Sequence, residues 1–214
     1  MTTSAYDESY LDDAMQNLGD MVEYAVCDLG FGPDVFFGWF ISSGIAAKFG
    51  RGNPKYVIGM SGYELAEAVL KATNVPFEIR EPLYTEYKGC EYWAGWILAY
   101  YQWKTAQRFE DMVKNGLTLS KVLSMYILHE ADESKFVETA NSIIARNKSS
   151  RKSNLARIRT ARGFTQQQLS EASGVTLRMV QLYEQQRNDI GKAQVHVAIS
   201  LANALGCDVE DLID

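Results

Sequence analysis

A short basic segment divides this chain and limits what it can fold into. Residues 146–153 read RNKSSRKS and include no large apolar residue, which is typical of a solvated linker. The charge changes sign there: residues 1–145 carry 11 Lys/Arg and 20 Asp/Glu, net −9, whereas residues 146–214 carry 10 and 7, net +3. We therefore predict two domains, residues 1–145 and 154–214, joined by this linker.

The composition predicts a folded protein of a reducing compartment. Apolar residues make up 47% and charged residues 22% of the 214 residues, as in ordinary globular domains. Three widely spaced cysteines fit neither a disulfide framework nor a four-ligand zinc site, which favours the cytoplasm. The polar, acidic N-terminus is unlike a signal peptide, and the longest apolar stretch, around residues 93–103, is too short for a membrane span. We expect no membrane association.

Apolar spacing predicts an all-α N-terminal domain. Apolar residues recur at intervals of three and four, as one face of a helix requires. The predicted helices cover residues 9–29, 35–49, 61–72, 92–112, 119–128 and 133–144. Ser61 and Glu64 form a capping-box pattern, and Asp34 is placed to cap the second helix. Residues 75–90 are predicted to form a loop, with a short hairpin as the alternative.

Two clusters in this domain have the composition of ligand sites. The helix over residues 92–112 carries Trp93, Trp96, Tyr100, Tyr101 and Trp103. Aromatic residues at helical spacing favour core packing, and the alternative is the floor of a small-molecule pocket.

The second cluster, residues 129–133, has one histidine and several acids, which favours a helix cap over a metal site. The sequence contains no Ser/His/Asp or Cys/His grouping and no phosphate-loop glycines. We therefore expect no metal, no cofactor and no enzymatic activity.

In the C-terminal domain, two short predicted helices are joined through a glycine. Thr165 and Thr176 are placed to cap helices over residues 166–173 and 177–185, and Gly174 suits the left-handed turn between them. Counting Gln166 as position one, the positions that must be buried hold Leu169, Val175, Val180 and Tyr183, and the small residue at the helix contact is Ser170. Ser173 departs from the usual apolar residue at position eight. A chance αα-hairpin is the alternative, but the filled positions favour a helix-turn-helix.

This domain resembles the Xre/Cro–phage repressor family of five-helix DNA-binding domains. The resemblance rests on LARIRTARGFTQQQLS at residues 155–170, SGVT at residues 173–176, Tyr183 with Glu184, and LANALGCDVEDLI at residues 201–213. It implies a lambda-repressor-like fold with further helices over residues 154–162 and 192–205, and a fifth that Asp208 caps. The segments YWAGWILAYYQW (92–103) and LHEAD (128–132) are similar to segments of other bacterial regulators that carry this type of domain.

The resemblance also implies how DNA is contacted. The third helix would enter the major groove. Because Val180 and Tyr183 face the core, the residues that face outward and match base-contacting positions of the family are Leu177, Arg178, Gln181 and Leu182. The forked donors of Arg178 suit guanine, Gln181 suits adenine, and the leucines suit a thymine methyl group. An exposed leucine pair also fits a protein-contact face.

Further residues match positions that contact the DNA backbone or support the fold. Gln166 matches the family's phosphate contact, and the other expected backbone contacts are Gln167, Thr176, Arg187 and Lys192. For Arg187 and Lys192 the alternative is plain solvated charge. Arg159 and Glu184 occupy positions that form an internal ion pair in the resembling repressors.

These features predict a DNA-binding transcriptional regulator. We expect a repressor that binds double-stranded DNA as a homodimer on a two-fold site, because one short helix reads few bases. One alternative is an antitoxin, whose acidic N-terminal domain neutralises a protein partner while the C-terminal domain autoregulates the operon. Another is a one-component sensor whose aromatic helix lines a pocket for a small ligand.

Overall fold

The computed structural model describes residues 4–82, 88–150 and 152–213. Every regular element within these ranges is helical, which confirms the all-α fold class. The chain divides into two compact units, Met1–Ile144 and Ala145–Asp214, and each unit has a hydrophobic core of its own. The division lies beside the basic segment at which the charge changes sign.

The N-terminal unit is built on α-helices joined by short turns. Its described α-helices are α1 (Leu11–Glu23), α2 (Pro33–Ser42), α3 (Ile45–Phe49), α4 (Pro54–Val57), α5 (Gly62–Ala72), α6 (Cys90–Thr105), α7 (Phe109–Lys114), α8 (Leu119–Leu123) and α9 (Glu133–Ser150). Short 3₁₀-helices occupy Glu8–Tyr10 and Tyr126–Glu130, and a π-helical turn, Tyr24–Asp28, continues α1. The last residues of α9 fall in the C-terminal unit.

Glycine allows α1 and α6 to pack backbone against backbone at the centre of this unit. A Cβ atom on Gly95 would overlap the carbonyl oxygen of Leu18 and approach the Cα atom of Gly19. A Cβ atom on Gly19 would in turn lie 2.7 Å from the ring of Tyr92. Any side chain at these positions would force the helices apart, because a packed core has no space to absorb it.

Aromatic rings fill much of the core around this crossing. Phe40 is fully buried and lies 5.5 Å from both Phe37 and Phe109 and 6.1 Å from Phe49, measured between ring centroids. In the aromatic run of α6, the residues buried in the core are Trp93, Tyr101 and Trp103, whereas Trp96 and Tyr100 are half-buried. The run therefore packs mainly as core, with part of it left at the surface.

Three helices predicted as continuous are broken in the structure. The predicted helix over residues 119–128 ends at Leu123, and residues Tyr126–Glu130 form a separate 3₁₀-helix. The predicted helix over residues 35–49 is interrupted at Gly44, whose φ of 74° is the left-handed conformation that ends a helix. The predicted helix over residues 92–112 ends at Thr105, because Ala106 adopts a φ of 52°. Alanine carries no local signal for that conformation, so apolar spacing alone missed this break.

The start of α2 also differs from the prediction. The helix begins at Pro33, which suits the first helical position, and Gly32 is its N-cap residue. Asp34, predicted as the cap, instead accepts the backbone N–H of Ser120 at the start of α8, at 2.8 Å from its Oδ1 atom. The capping box of α5 is confirmed, since the Ser61 N–H and hydroxyl both contact Glu64 Oε2.

Two further segments were predicted to be irregular, and part of the second is helical in the structure. Residues 75–82 form neither helix nor strand, and part of the predicted loop or hairpin, residues 83–87, lies outside the described residues. Helix α9 continues to Ser150, beyond the predicted end at residue 144 and into the predicted linker. Residues 133–150 contain no proline or glycine, so nothing in the sequence stops the helix at residue 144.

The C-terminal unit has the five α-helices that the resemblance implies. They are α10 (Asn154–Ala161), α11 (Gln166–Ser173), α12 (Leu177–Glu184), α13 (Val195–Leu205) and α14 (Val209–Leu212). The expected fourth helix begins at Val195 rather than Lys192, because residues Ile190–Lys192 form a separate 3₁₀-helix. Buried side chains from all five helices meet in one core, which includes Leu155, Leu169, Val180, Leu201 and Leu212.

Candidate DNA-binding site

The turn between α11 and α12 has the geometry that its sequence predicts. Gly174 has a φ of 69°, which confirms the left-handed turn. The Ser170 hydroxyl donates to the Val175 carbonyl at 2.7 Å and ties the end of the turn back to α11. Ser173, at the position usually apolar, donates its hydroxyl to the Leu169 carbonyl at 2.6 Å and accepts the Val175 N–H at 3.2 Å. These bonds satisfy the polar side chain, so it is tolerated there.

Helix α12 has a buried face and an outward face. Val180 and Tyr183 are 0% and 6% exposed and pack in the core of the unit. The predicted base-contacting residues lie on the other side: Arg178 is exposed, and Leu177, Gln181 and Leu182 are half-buried. At 3.6 residues per turn these four positions span an arc of about 140°. All four side chains therefore lie on one side of the helix, which can face a groove of DNA.

The structure brings Arg159 and Glu184 together as a paired, forked contact. Arg159 Nε lies 2.5 Å from Glu184 Oε1, and Arg159 Nη2 lies 3.1 Å from Oε2. Their side chains are only 15% and 6% exposed, so water screens the pair weakly. The hydrogen bonds that Arg159 donates to Glu184 raise the pKa of the guanidinium, which keeps the cation charged. The pair joins α10 to the last residue of α12.

The same carboxylate also holds the start of α11. Gln166 donates its side-chain amide to Glu184 Oε2 at 2.7 Å, and Arg159 Nη1 donates to the Phe164 carbonyl at 2.5 Å. Sequence reasoning placed Gln166 at a phosphate and did not foresee this contact. One buried carboxylate therefore fixes α10, α11 and α12 relative to one another.

The remaining predicted backbone contacts lie at the ends of these helices. Gln167 is exposed on the first turn of α11, and its side-chain amide donates to Glu171 at 2.8 Å. Thr176 caps α12 by accepting the Met179 N–H at 3.4 Å. Arg187 and Lys192 follow α12 and are exposed, with Lys192 Nζ 3.6 Å from Asp189 Oδ2.

Helix α13 carries an exposed apolar face that the sequence prediction missed. Val195 is 74% exposed and Ile199, one turn further on, is 44% exposed. The core side of α13 consists of Ala198, Leu201, Ala202 and Leu205. These core residues follow the three-and-four spacing, but Val195 lies three residues before Ala198 and fits the same spacing, so the pattern alone did not mark it as exposed.

Comparison with known families places this unit among DNA-binding domains. Residues 155–212 match the family model described as helix-turn-helix. This C-terminal region is a helix-turn-helix domain of the Xre/Cro type, a family of DNA-binding transcriptional regulators rather than of enzymes. No curated protein and no solved structure gives a significant match to the chain. Among the helices of the described residues, none combines the length and hydropathy that crossing a bilayer requires.

Proposed function

We propose that this chain is a sequence-specific transcriptional repressor that binds a two-fold operator as a homodimer. The outward face of α12 carries the proposal, because Arg178 and Gln181 stand on the side of the helix opposite its buried residues. An arginine in that place can donate two hydrogen bonds to guanine, and a glutamine can pair with adenine. Leu177 and Leu182 complete this face as contacts to thymine methyl groups.

Contacts to phosphates would set the position of α12 in the groove. The N-terminus of α11 presents the backbone N–H groups of Gln166 and Gln167 with the positive end of the helix dipole, and Thr176 stands at the N-terminus of α12. Arg187 and Lys192 add exposed positive charge beyond α12.

A second copy would pair through α13. Val195 and Ile199 form an exposed apolar pair, of the kind that a partner surface covers. A two-fold pair doubles the number of bases read, which a single short helix needs for useful specificity. Occupation of promoter DNA by such a dimer blocks transcription, which is why repression is the proposed outcome.

Binding to DNA and its salt dependence test this proposal. A two-fold site is selected from random double-stranded DNA with the full chain, and affinity is measured as salt rises from 50 to 200 mM. If Arg187 and Lys192 of both copies each neutralise one phosphate, affinity falls about a hundredfold over that range. Failure of the full chain to shift any DNA at low salt would contradict the proposal.

The dimer has its own test. Val195→Glu places a charge on the α13 face and should weaken binding to the two-fold site, while binding to a single half-site stays unchanged. Glu210→Gln, an exposed change on α14, serves as the control. Equal affinity of Val195→Glu and the parent chain for the two-fold site would show that α13 is not the contact between copies.

A second candidate function concerns the N-terminal unit. Residues 1–145 carry a net charge of −9, opposite to the charge that DNA attracts. Such a unit suits a basic protein partner, and the chain would then be an antitoxin that also regulates its own operon. Co-expression with the products of neighbouring genes tests this, since a stable stoichiometric complex is expected only for that function.

A further inference from the structure

An aromatic cavity opens on the N-terminal unit, at the edge of the packed core. It has a volume of about 270 Å³ and lies between the first turns of α6 and the 3₁₀-helix Tyr126–Glu130. Its walls include the rings of Tyr92, Trp93, Trp96 and Tyr126. His129 lies parallel to Tyr126, with 4.2 Å between ring centroids, and extends this aromatic wall. The cavity is thus lined largely by aromatic side chains, whose ring faces carry partial negative charge.

The charged groups around this cavity are mostly acidic. Glu133 lines the cavity, and Glu130 and Asp132 lie close to Glu133 along the chain. Burial is the main reason that the pKa of Tyr100 on α6 is raised, and the charges of Glu133 and Asp132 raise it further. The negative field of these carboxylates therefore reaches the aromatic face of α6.

Lys88, the cation among the described residues that line the cavity, is already neutralised. Lys88 Nζ lies 2.8 Å from Asp20 Oδ1 and 2.6 Å from Glu23 Oε2. Burial lowers the pKa of Lys88, but these two carboxylates outweigh it and raise the pKa overall. The same ammonium lies 4.7 Å from the centroid of the Tyr92 ring. This part of the surface thus already holds one cation between an aromatic face and carboxylates.

We propose that the cavity binds an arginine side chain of a basic protein partner. A guanidinium is planar and weakly hydrated, so it stacks on Trp and Tyr rings while it pairs with a carboxylate such as Glu133. The net charge of −9 on residues 1–145 favours a basic partner over an anionic or neutral one. Ile127, 76% exposed and next to Tyr126, gives such a partner an apolar contact beside the cavity. The proposal rests on the partner-binding candidate and is independent of DNA binding.

The probe that tests this proposal is N-acetylarginine amide, titrated into the full chain labelled with 5-fluorotryptophan. The four tryptophans give four fluorine resonances, and Trp39 reports on a part of the unit that does not line the cavity. The resonances of Trp96 and Trp93 should shift with saturation, while that of Trp39 stays in place. N-acetylcitrulline amide, which has nearly the same shape without the charge, should shift none of them at the same concentration.

A matched pair of variants on α9 tests the carboxylate. Glu133→Gln should weaken the arginine probe at least fivefold, whereas Glu138→Gln, which removes an exposed charge paired with Lys135, should change it less than twofold. An unchanged Trp39 resonance shows that each variant is folded.

Three results would overturn the proposal: no shift with the arginine probe, an equal response to citrulline, or no effect of Glu133→Gln. An equal response to citrulline would mean that the cavity takes an uncharged planar ligand instead. Complex formation on co-expression tests partner binding separately, so failure of the cavity proposal is distinguishable from failure of that function.

Discussion

The two units of this chain are stabilised in different ways. The N-terminal core contains a cluster of phenylalanine rings around Phe40, together with a backbone-to-backbone helix crossing at Gly95. Among the described residues, the C-terminal core cluster consists mainly of aliphatic side chains, and Tyr183 is its one buried aromatic residue. That unit adds a buried ion pair and the hydroxyl bonds of Ser170 and Ser173. A small core needs such polar devices at fixed positions, because it buries too little apolar surface to be stable without them.

This difference can be followed by experiment because all four tryptophans lie in the N-terminal unit. Tryptophan fluorescence then reports unfolding of that unit, and calorimetry reports unfolding of both. If the two units unfold separately, a variant in one unit shifts one transition and leaves the other in place.

Removal of the central ring should have the largest effect. Phe40 is fully buried against three other rings, so Phe40→Ala leaves a cavity that the neighbours cannot fill. We expect the free energy of unfolding of the N-terminal unit to fall by about 3–5 kcal/mol. Thermal melts followed by tryptophan fluorescence measure it, with Ile79→Ala, at a residue 69% exposed, as the control. An equal loss in the C-terminal transition would show that the units are not independent.

Loss of the buried carboxylate of Glu184 should have the second-largest effect, and it should destabilise the C-terminal unit. Glu184→Ala leaves the Arg159 guanidinium without its main partner and removes the contact to Gln166. We expect a loss of about 3 kcal/mol, the lower end for a broken buried pair, because Arg159 keeps its bond to the Phe164 carbonyl.

The control for Glu184→Ala is Glu171→Ala, which removes an exposed carboxylate on α11 and should have little effect. Calorimetry of the full chain measures both variants. Melts of Glu184→Ala that match the parent in the C-terminal transition would mean that the pair contributes nothing to stability.

The smallest expected effect is on the pH dependence of stability. It distinguishes a capping box closed by a carboxylate from one closed by an amide. Both boxes close through a side chain at the third helical position, Glu64 in α5 and Gln168 in α11. Bonds from the Ser61 backbone and hydroxyl hold the pKa of Glu64 below its ordinary value of 4.5. The pKa of Glu64 is lower in the folded chain than in the unfolded chain. The stabilisation is therefore complete above the pKa of the unfolded chain and is lost as pH falls through the pKa of the folded chain.

Glu64→Gln should therefore reduce the loss of N-terminal stability between pH 6 and pH 3. The reverse change, Gln168→Glu, should give the C-terminal unit an acid sensitivity that its parent box lacks. Melts of both variants across this pH range measure the effect. Parallel pH profiles for Glu64→Gln and the parent chain would contradict the role of this carboxylate.

The C-terminal unit could be predicted in more detail than the N-terminal one for a physical reason. Its turn needs Gly174, its core needs apolar residues at set positions, and its ion pair needs Arg159 and Glu184 on facing helices. Each requirement fixes a residue type at one place, so the sequence predicts the fold and the outward face of α12. The contact between Gln166 and Glu184 was not predictable, because spacing does not show where a flexible amide points.

In the N-terminal unit, apolar spacing predicted helices but not their breaks. Apolar residues continue on both sides of Ala106, and neither that alanine nor its neighbours are residue types that predict a left-handed turn. The pattern also did not separate Trp96, which is half-buried at the cavity, from Trp93 and Trp103, which are buried in the core. Which ring of an aromatic helix stays accessible depends on tertiary packing, here of the segment around Tyr126.

Discrimination between cognate and random DNA tests the central claim, that α12 reads base sequence through Arg178. Affinities of the full chain, Arg178→Ala and Arg157→Ala are measured at one salt concentration on the selected two-fold site and on random DNA. Arg157 is exposed on α10, so its removal controls for the loss of one positive charge. Arg178→Ala should lose about 1–3 kcal/mol per half-site on the selected site and much less on random DNA, whereas Arg157→Ala should weaken both alike. Equal weakening of both DNAs by Arg178→Ala would contradict the account and make Arg178 a phosphate contact.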